Sequence, residues 1–297
     1  MKYKISILLL LAIITSLMAM AKTVTDEAGR RVNIPDNPVR VVSLAPSVTE
    51  IIFEVGYGHR LVGATQYSNY PPLADKLPKV GTYVHLDLER IVALQPDLCI
   101  GIQDGNTYSV VNRLDRLGIP VYIINPQNIA SVINSVDKMG QILNQTSKSQ
   151  KIIKGLNQRV NAVTERLFGI QHRPDVFFQI GISPMISVGT STFISDLIVT
   201  AGGNNATPGP NPYPKISREE ILHLQPDIII MTSMVDEDNV KQLKARWKPW
   251  HQIPAVKNNR IYVLNADVFN RPSTRLVNGL EILARLIHPD RFPAVDQ

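Results

Sequence analysis

The chain has 297 residues, 44% of them hydrophobic and 19% charged, with a single cysteine and a formal net charge of +6. That length accommodates two domains of ordinary size, each with a core of its own, and one cysteine excludes an internal disulfide. Lys and Arg are scattered among acids with no basic run and no aromatic RNA-binding motif, which excludes a nucleic-acid footprint.

Lys2 and Lys4 precede an apolar run from Ile5 to Met18, and Ala19-Met20-Ala21 has the small, larger, small pattern of a signal-peptidase site. Residues 1–21 are expected to be a secretory signal that is removed. A retained anchor is the alternative, but it needs about 20 apolar residues and stop-transfer flanks. Two lysines and no acid leave with the signal, lowering the formal charge from +6 to +4. No cysteine lies near the cut for lipid attachment, and Cys99, inside the apolar run Leu98-Cys99-Ile100, is expected to be buried.

Short apolar runs then alternate with segments of helical period, the signature of an α/β chain with mostly parallel sheets. Strands are expected over Val39 to Leu44, Leu61 to Thr65, Leu98 to Ile102 and Val121 to Ile124. Helices are expected from Ser47, as N-cap, to Val55, from Leu88 to Leu94 and from Val110 to Leu117, with a loop from Tyr67 to Tyr83. From 129 to 168 there is no strand signal and no proline, and apolar residues from Ile133 to Leu167 recur at steps of three and four, describing a long amphipathic helix punctuated at Thr146-Ser147. Beyond it come a strand over Val176 to Ile182, helices over Phe193 to Ala201 and Arg218 to Leu224, and strands over Ile228 to Thr232 and Ile261 to Leu264. The expected organisation is an N-terminal lobe over 22–128, a linking helix over 129–168 and a C-terminal lobe over 169–297.

One internal match is sharper than this general grammar. Asp87 to Asp97 aligns without gaps on Ser217 to Asp227, with six of eleven positions identical, and both stretches run into an apolar strand. Each copy opens on a good N-cap and places an acid two residues later. Ser217 and Glu220 have capping-box spacing, which gives Glu220 a local task. Glu89 and Glu219 have none. They either complement the positive helix end, worth about 0.3 to 1 kcal/mol each, or meet a partner that is itself two-fold symmetric, where paired charges orient docking more than they add affinity.

Enzyme chemistry is not written here. No nucleophile elbow, Walker loop or dinucleotide glycine pattern occurs, and Gly189-Thr190-Ser191-Thr192 reads as a strand-to-helix turn instead of a phosphate cradle. The six histidines, His59, His85, His172, His223, His251 and His288, are dispersed with no pair at ligand spacing, so no metal site is expected.

The stretches Val41-Val42-Ser43-Leu44-Ala45-Pro46-Ser47-Val48-Thr49-Glu50, Tyr67-Ser68-Asn69-Tyr70-Pro71-Pro72, Leu88 to Asp97, Ser217-Arg218-Glu219 and Asp267 to Arg275 resemble the periplasmic cobalamin-binding proteins of ABC vitamin importers. The resemblance spans about residues 39 to 287. It implies an α/β fold with two Rossmann-like lobes bridged by a single long α-helix, the class III periplasmic binding protein fold, and a monomer that holds cobalamin or a related corrinoid in its cleft. Cobalamin is then cargo and no cofactor is implied. The implied partner is an ABC permease dimer with its ATPase subunits, engaged through Glu89 and Glu219. Carried over position by position, Tyr67, Tyr83 and Tyr213 supply aromatic surface, Asp267 and Arg271 bond the amide rim, and Phe269 lies in the same segment. His85 either approaches the cobalt or caps a loop. Tyr83 and Tyr213 fall where the family has tryptophan, Ile102 and Ile186 fall at aromatic positions, and Ala201 replaces a cysteine of a disulfide. A smaller-ringed pocket points to a different lower ligand or a precursor. Tyrosines with a few Asp and Arg groups suit a broad corrin edged with amides, whereas a ferric siderophore, the alternative together with haem, asks for converging arginines.

Overall fold

A hairpin opens the described chain: β1 (Ala21–Thr25) pairs antiparallel with β2 (Arg31–Pro35). Its turn is built on the buried Asp26 carboxylate, which accepts from the Ala28 and Arg30 amides and pairs with the Arg30 guanidinium at 2.7 Å, while Gly29 takes φ +79°. The computed structural model describes residues 21–207, 209–234 and 237–292. The expected signal lies outside them except for Ala21, which begins β1.

The chain divides into two compact units. The N-terminal unit holds the chain up to Asn125 with Lys138–Lys148, and the C-terminal unit holds Pro126–Asp137 and everything from Ser149 on. In the first unit follow β3 (Val41–Ser43), α1 (Pro46–Glu54), β4 (Leu61–Gly63), α2 (Pro72–Asp75), α3 (Leu88–Ala93), β5 (Leu98–Ile102), α4 (Tyr108–Arg116) and β6 (Val121–Ile124). Ser47 is not the cap of α1. Ala45 takes that place and Pro46, with its preset φ, occupies the first turn, leaving Ser47 buried behind it. The four strands β4-β3-β5-β6 are all parallel. Val42, Leu44, Ile91, Leu114, Val121 and the thiol of Cys99 form the core beneath them, and burial pushes the Cys99 pKa up.

The helical stretch expected over 129–168 is present as α5 (Ile129–Ile142) and α6 (Thr146–Arg166). Its punctuation is at Asn144, which takes φ +56°, while the Gln145 amide reaches back to the Gly140 carbonyl.

The C-terminal unit continues with β7 (Asp175–Ile182), β8 (Met185–Ser187), α7 (Phe193–Thr200), β9 (Asn204–Asn205), α8 (Arg218–Leu224), β10 (Ile228–Ser233), α9 (Glu237–Ala245), α10 (Pro254–Lys257), β11 (Ile261–Asn265), α11 (Ala266–Phe269) and α12 (Leu276–Ile287). Strand β8 folds back antiparallel on β7, and the parallel strands run β9-β7-β10-β11. In both units, therefore, the first parallel strand lies between the second and the third. The eleven-residue repeat is the sequence trace of that shared topology. Both copies leave their helix through a left-handed glutamine, Gln95 at φ +47° and Gln225 at φ +45°. Both then place an aspartate at the amino end of the central strand pair: Asp97 accepts from the Val39 and Arg40 amides ahead of β3, and Asp227 accepts from the Asp175 amide at the start of β7.

Candidate functional site

In an open parallel sheet, ligands bind outside the carboxyl ends of the strands, where the strand order changes direction. In the N-terminal unit that point lies between β3 and β5. Two of the expected tyrosines sit on loops anchored at this edge.

Tyr67 is 45% exposed. Its loop leaves β4 and is held by a buried chain of hydroxyls: Ser43 to Thr49 at 2.8 Å, Thr49 to Ser68 at 2.9 Å and Ser68 to Thr65 at 2.9 Å. Lys79 adds bonds from Nζ to the carbonyls of Ser68 and Ala74. An exposed aromatic ring on a firmly held loop is ready for contact without further ordering.

Tyr83 is 39% exposed. Burial, and then the charge of Asp104, raises its pKa above the ordinary tyrosine value. Its carbonyl accepts from Asn106 Nδ2 at 2.7 Å, and the same amide group donates to the Leu44 carbonyl just past β3 at 3.0 Å. Asn106 Oδ1 accepts from the Ile102 amide at the end of β5 at 2.8 Å. A side chain that is 6% exposed thus binds both strands of the switch point to the Tyr83 loop. Asn106 is absent from the expected site residues. Its one signal in the chain is position, an asparagine after a glycine just beyond a strand. His85 closes the adjoining turn with its backbone, which bonds Thr82 through both amide and carbonyl.

In the C-terminal unit, Tyr213 is half-buried in a loop zipped to β8 and the turn after it, with Ser187 and Gly189 amides donating to the Pro214 and Pro212 carbonyls. Gly189 is required there, because a Cβ would stand 1.9 Å from the Asn211 carbonyl oxygen. Thr192 caps α7 through the Ser195 amide, so Gly189 to Thr192 is the strand-to-helix turn expected. Asp267 and Arg271 follow the carboxyl end of β11 and pair with each other, and Arg275 donates to the Asp267 carbonyl at 3.1 Å. Arg271 is 7% exposed, and the pair with Asp267 offsets part of the cost of burying its charge.

Phe269 requires a correction. Its ring is 1% exposed, packs on Phe178 at a centroid distance of 6.1 Å and lies over Gly279, within the core of its unit. It is a structural ring, not a ligand-facing one. Of the departures, Ile102 is buried at the end of β5, Ile186 is half-buried in β8 and Ala201 is fully buried after α7.

The repeated acids stand on matching turns. Asp87 caps α3 through the Arg90 amide at 3.1 Å, and Arg90 turns back to pair with Asp87 at 3.0 Å. Ser217 and Glu220 form the capping box of α8, and those bonds hold the Glu220 pKa below the ordinary value. Glu89 and Glu219 are both exposed, and among the described residues neither carboxylate joins an ion pair or a side-chain hydrogen bond. Each is displayed, not consumed, by its own helix.

Among the described residues no group of three His, Cys, Asp or Glu side chains could hold a metal, and no helix is long and apolar enough to cross a membrane. A groove of about 460 Å³ on the C-terminal unit, lined by Arg159, Arg166, Arg285 and Phe292 among others, contains none of the expected site residues.

A family model described as periplasmic binding protein matches residues 41–268. The vitamin B12-binding protein of Vibrio parahaemolyticus is 31% identical over 242 residues, which are 81% of this chain and 86% of that protein. Among solved structures, the periplasmic vitamin B12 binding protein BtuF of Vibrio cholerae gives a TM-score of 0.79 at 26% identity, covering 88% of this chain and 100% of its own. The apo periplasmic heme-binding protein RhuT of Roseiflexus sp. RS-1 gives 0.76 at 24% identity, covering 85% and 98%, a likeness of fold alone.

Proposed function

Since this chain belongs to the periplasmic binding protein family, we propose that it captures cobalamin or a closely related corrinoid and delivers it to the permease of an ABC importer. Its place is then the periplasm, reached by way of the cleavable signal at residues 1–21, and it acts as a monomer. Tyr67, Tyr83 and Tyr213 offer ring faces to the corrin, and Asp267 with Arg271 bonds its amide edge. Glu89 and Glu219 dock the permease dimer that works with the ATPase subunits.

One observation carries the reading: two large aromatic rings, Tyr67 and Tyr83, stay exposed on loops tied down at the carboxyl edge of a parallel sheet. Exposed aromatic surface supplies contact area at little cost in rotamer entropy. The similarity to a vitamin B12-binding protein across most of both chains supports the choice of cargo. Isothermal titration of residues 22–297 is the test. Cyanocobalamin is expected to give saturable heat, and a ferric siderophore and haem none. Silence with cyanocobalamin up to high micromolar concentration sinks the proposal, and saturable heat with haem or siderophore alone replaces the cargo.

A further inference from the structure

Beside Tyr83 the backbone does something that only glycine allows. Gly105 has φ +123°, and a Cβ built on it would stand 2.4 Å from both Cδ2 and Cε2 of the Tyr83 ring, far inside the roughly 3.5 to 4.0 Å at which carbons rest against each other. The ring therefore lies against bare backbone. The next residue, Asn106, grips the Tyr83 carbonyl while spending its remaining amide hydrogen and its oxygen on the ends of β3 and β5.

We propose that Gly105 and Asn106 form a seat that fixes the Tyr83 ring at the switch point of the N-terminal sheet, so that one wall of the ligand site is built before the ligand arrives. The inference rests on the corrinoid reading for what the wall contacts, but the seat itself does not. Gly105 fixes the ring by leaving room for it, and Asn106 fixes the backbone that carries it. Asn106 is a positioning residue: it acts through the Tyr83 carbonyl and is itself buried. A fixed wall suits a rigid, broad ring system, because nothing in such a ligand adapts to a moving surface and every immobilised contact is prepaid.

The test is a pair of double-mutant cycles, G105A and N106A each in the Tyr83 and Y83A backgrounds. The near-ultraviolet circular dichroism difference between wild type and Y83A isolates the signal of the held ring without any ligand. G105A and N106A are expected to lose most of it, and its retention in both overturns the seat. With cyanocobalamin, each variant is expected to weaken binding roughly tenfold when Tyr83 is present and less than about twofold when it is absent, the non-additivity of residues acting as one unit. Equal losses in both backgrounds would mean general damage to the fold and overturn the positioning role. G105A presses on the ring and N106A releases the backbone, so failure of one to fold leaves the other decisive. If the wild type binds no cobalamin at all, the cargo reading fails and the dichroism comparison alone decides the seat.

Discussion

Phe269 and Tyr83 are both aromatic, and both fall in segments that resemble ligand-contacting ones, yet their surroundings give them opposite tasks. Phe269 is enclosed by Phe178, Gly279 and the helices of its unit. Truncating such a ring removes transfer free energy and leaves a cavity, so F269A is expected to destabilise the fold by about 3 to 5 kcal/mol. Urea unfolding measures it, and a loss under about 1 kcal/mol would place the ring outside the core. Tyr83 keeps over a third of its surface, and Y83A is expected to leave stability nearly unchanged. Nothing in the spacing of residues 265–271 distinguishes an inward ring from an outward one. That outcome depends on Phe178, far away in the chain.

The two repeat helices show how much of an element is decided locally. The cap at Ser217, the box to Glu220 and the end at Gln225-Pro226 are all contained within eleven residues, which is why they were legible. S217A is expected to cost about 1 kcal/mol, read as a lowered unfolding midpoint. Glu220 adds a pH dependence whose sign comes from its lowered folded pKa. The unfolded chain holds the proton more tightly, so the stabilisation is fully present above the ordinary glutamate value of 4.5 and is lost as pH falls through the depressed folded value. E220Q should flatten the acid limb of the stability profile in that window. An acid limb of unchanged slope would mean that the box contributes nothing. Helix α12 was equally legible, since Leu276, Leu280, Leu283 and Ile287 keep the three-four spacing and are buried. It nevertheless lay beyond the elements expected. Strands β8 and β9 were not legible, being three and two residues long and formed only because β7 offers them an edge. The expected strand at Val39 starts at Val41, because the amides of Val39 and Arg40 are taken by Asp97.

For the protein as a transport component, the informative feature is the repetition of one topology with one exposed glutamate at the same turn of each copy. If Glu89 and Glu219 dock the permease, the double charge reversal E89K/E219K is expected to abolish vitamin-dependent uptake while the cobalamin Kd stays within about twofold of wild type, since exposed charges contribute little to the fold or to a distant contact. Uptake at wild-type rate would refute the docking role, and loss of cobalamin binding would refute the separation of docking from capture. The α/β class, the helical stretch, the capped repeat and the candidate acids could be read directly from residue order, because alternation, three-four spacing and caps act over a single element. The burial of Phe269 and Arg271 and the seat under Tyr83 could not. Each is made by contacts between segments remote in the chain, as when Asn106 reaches Leu44 across 62 positions, and no local pattern encodes a partner that only folding brings near.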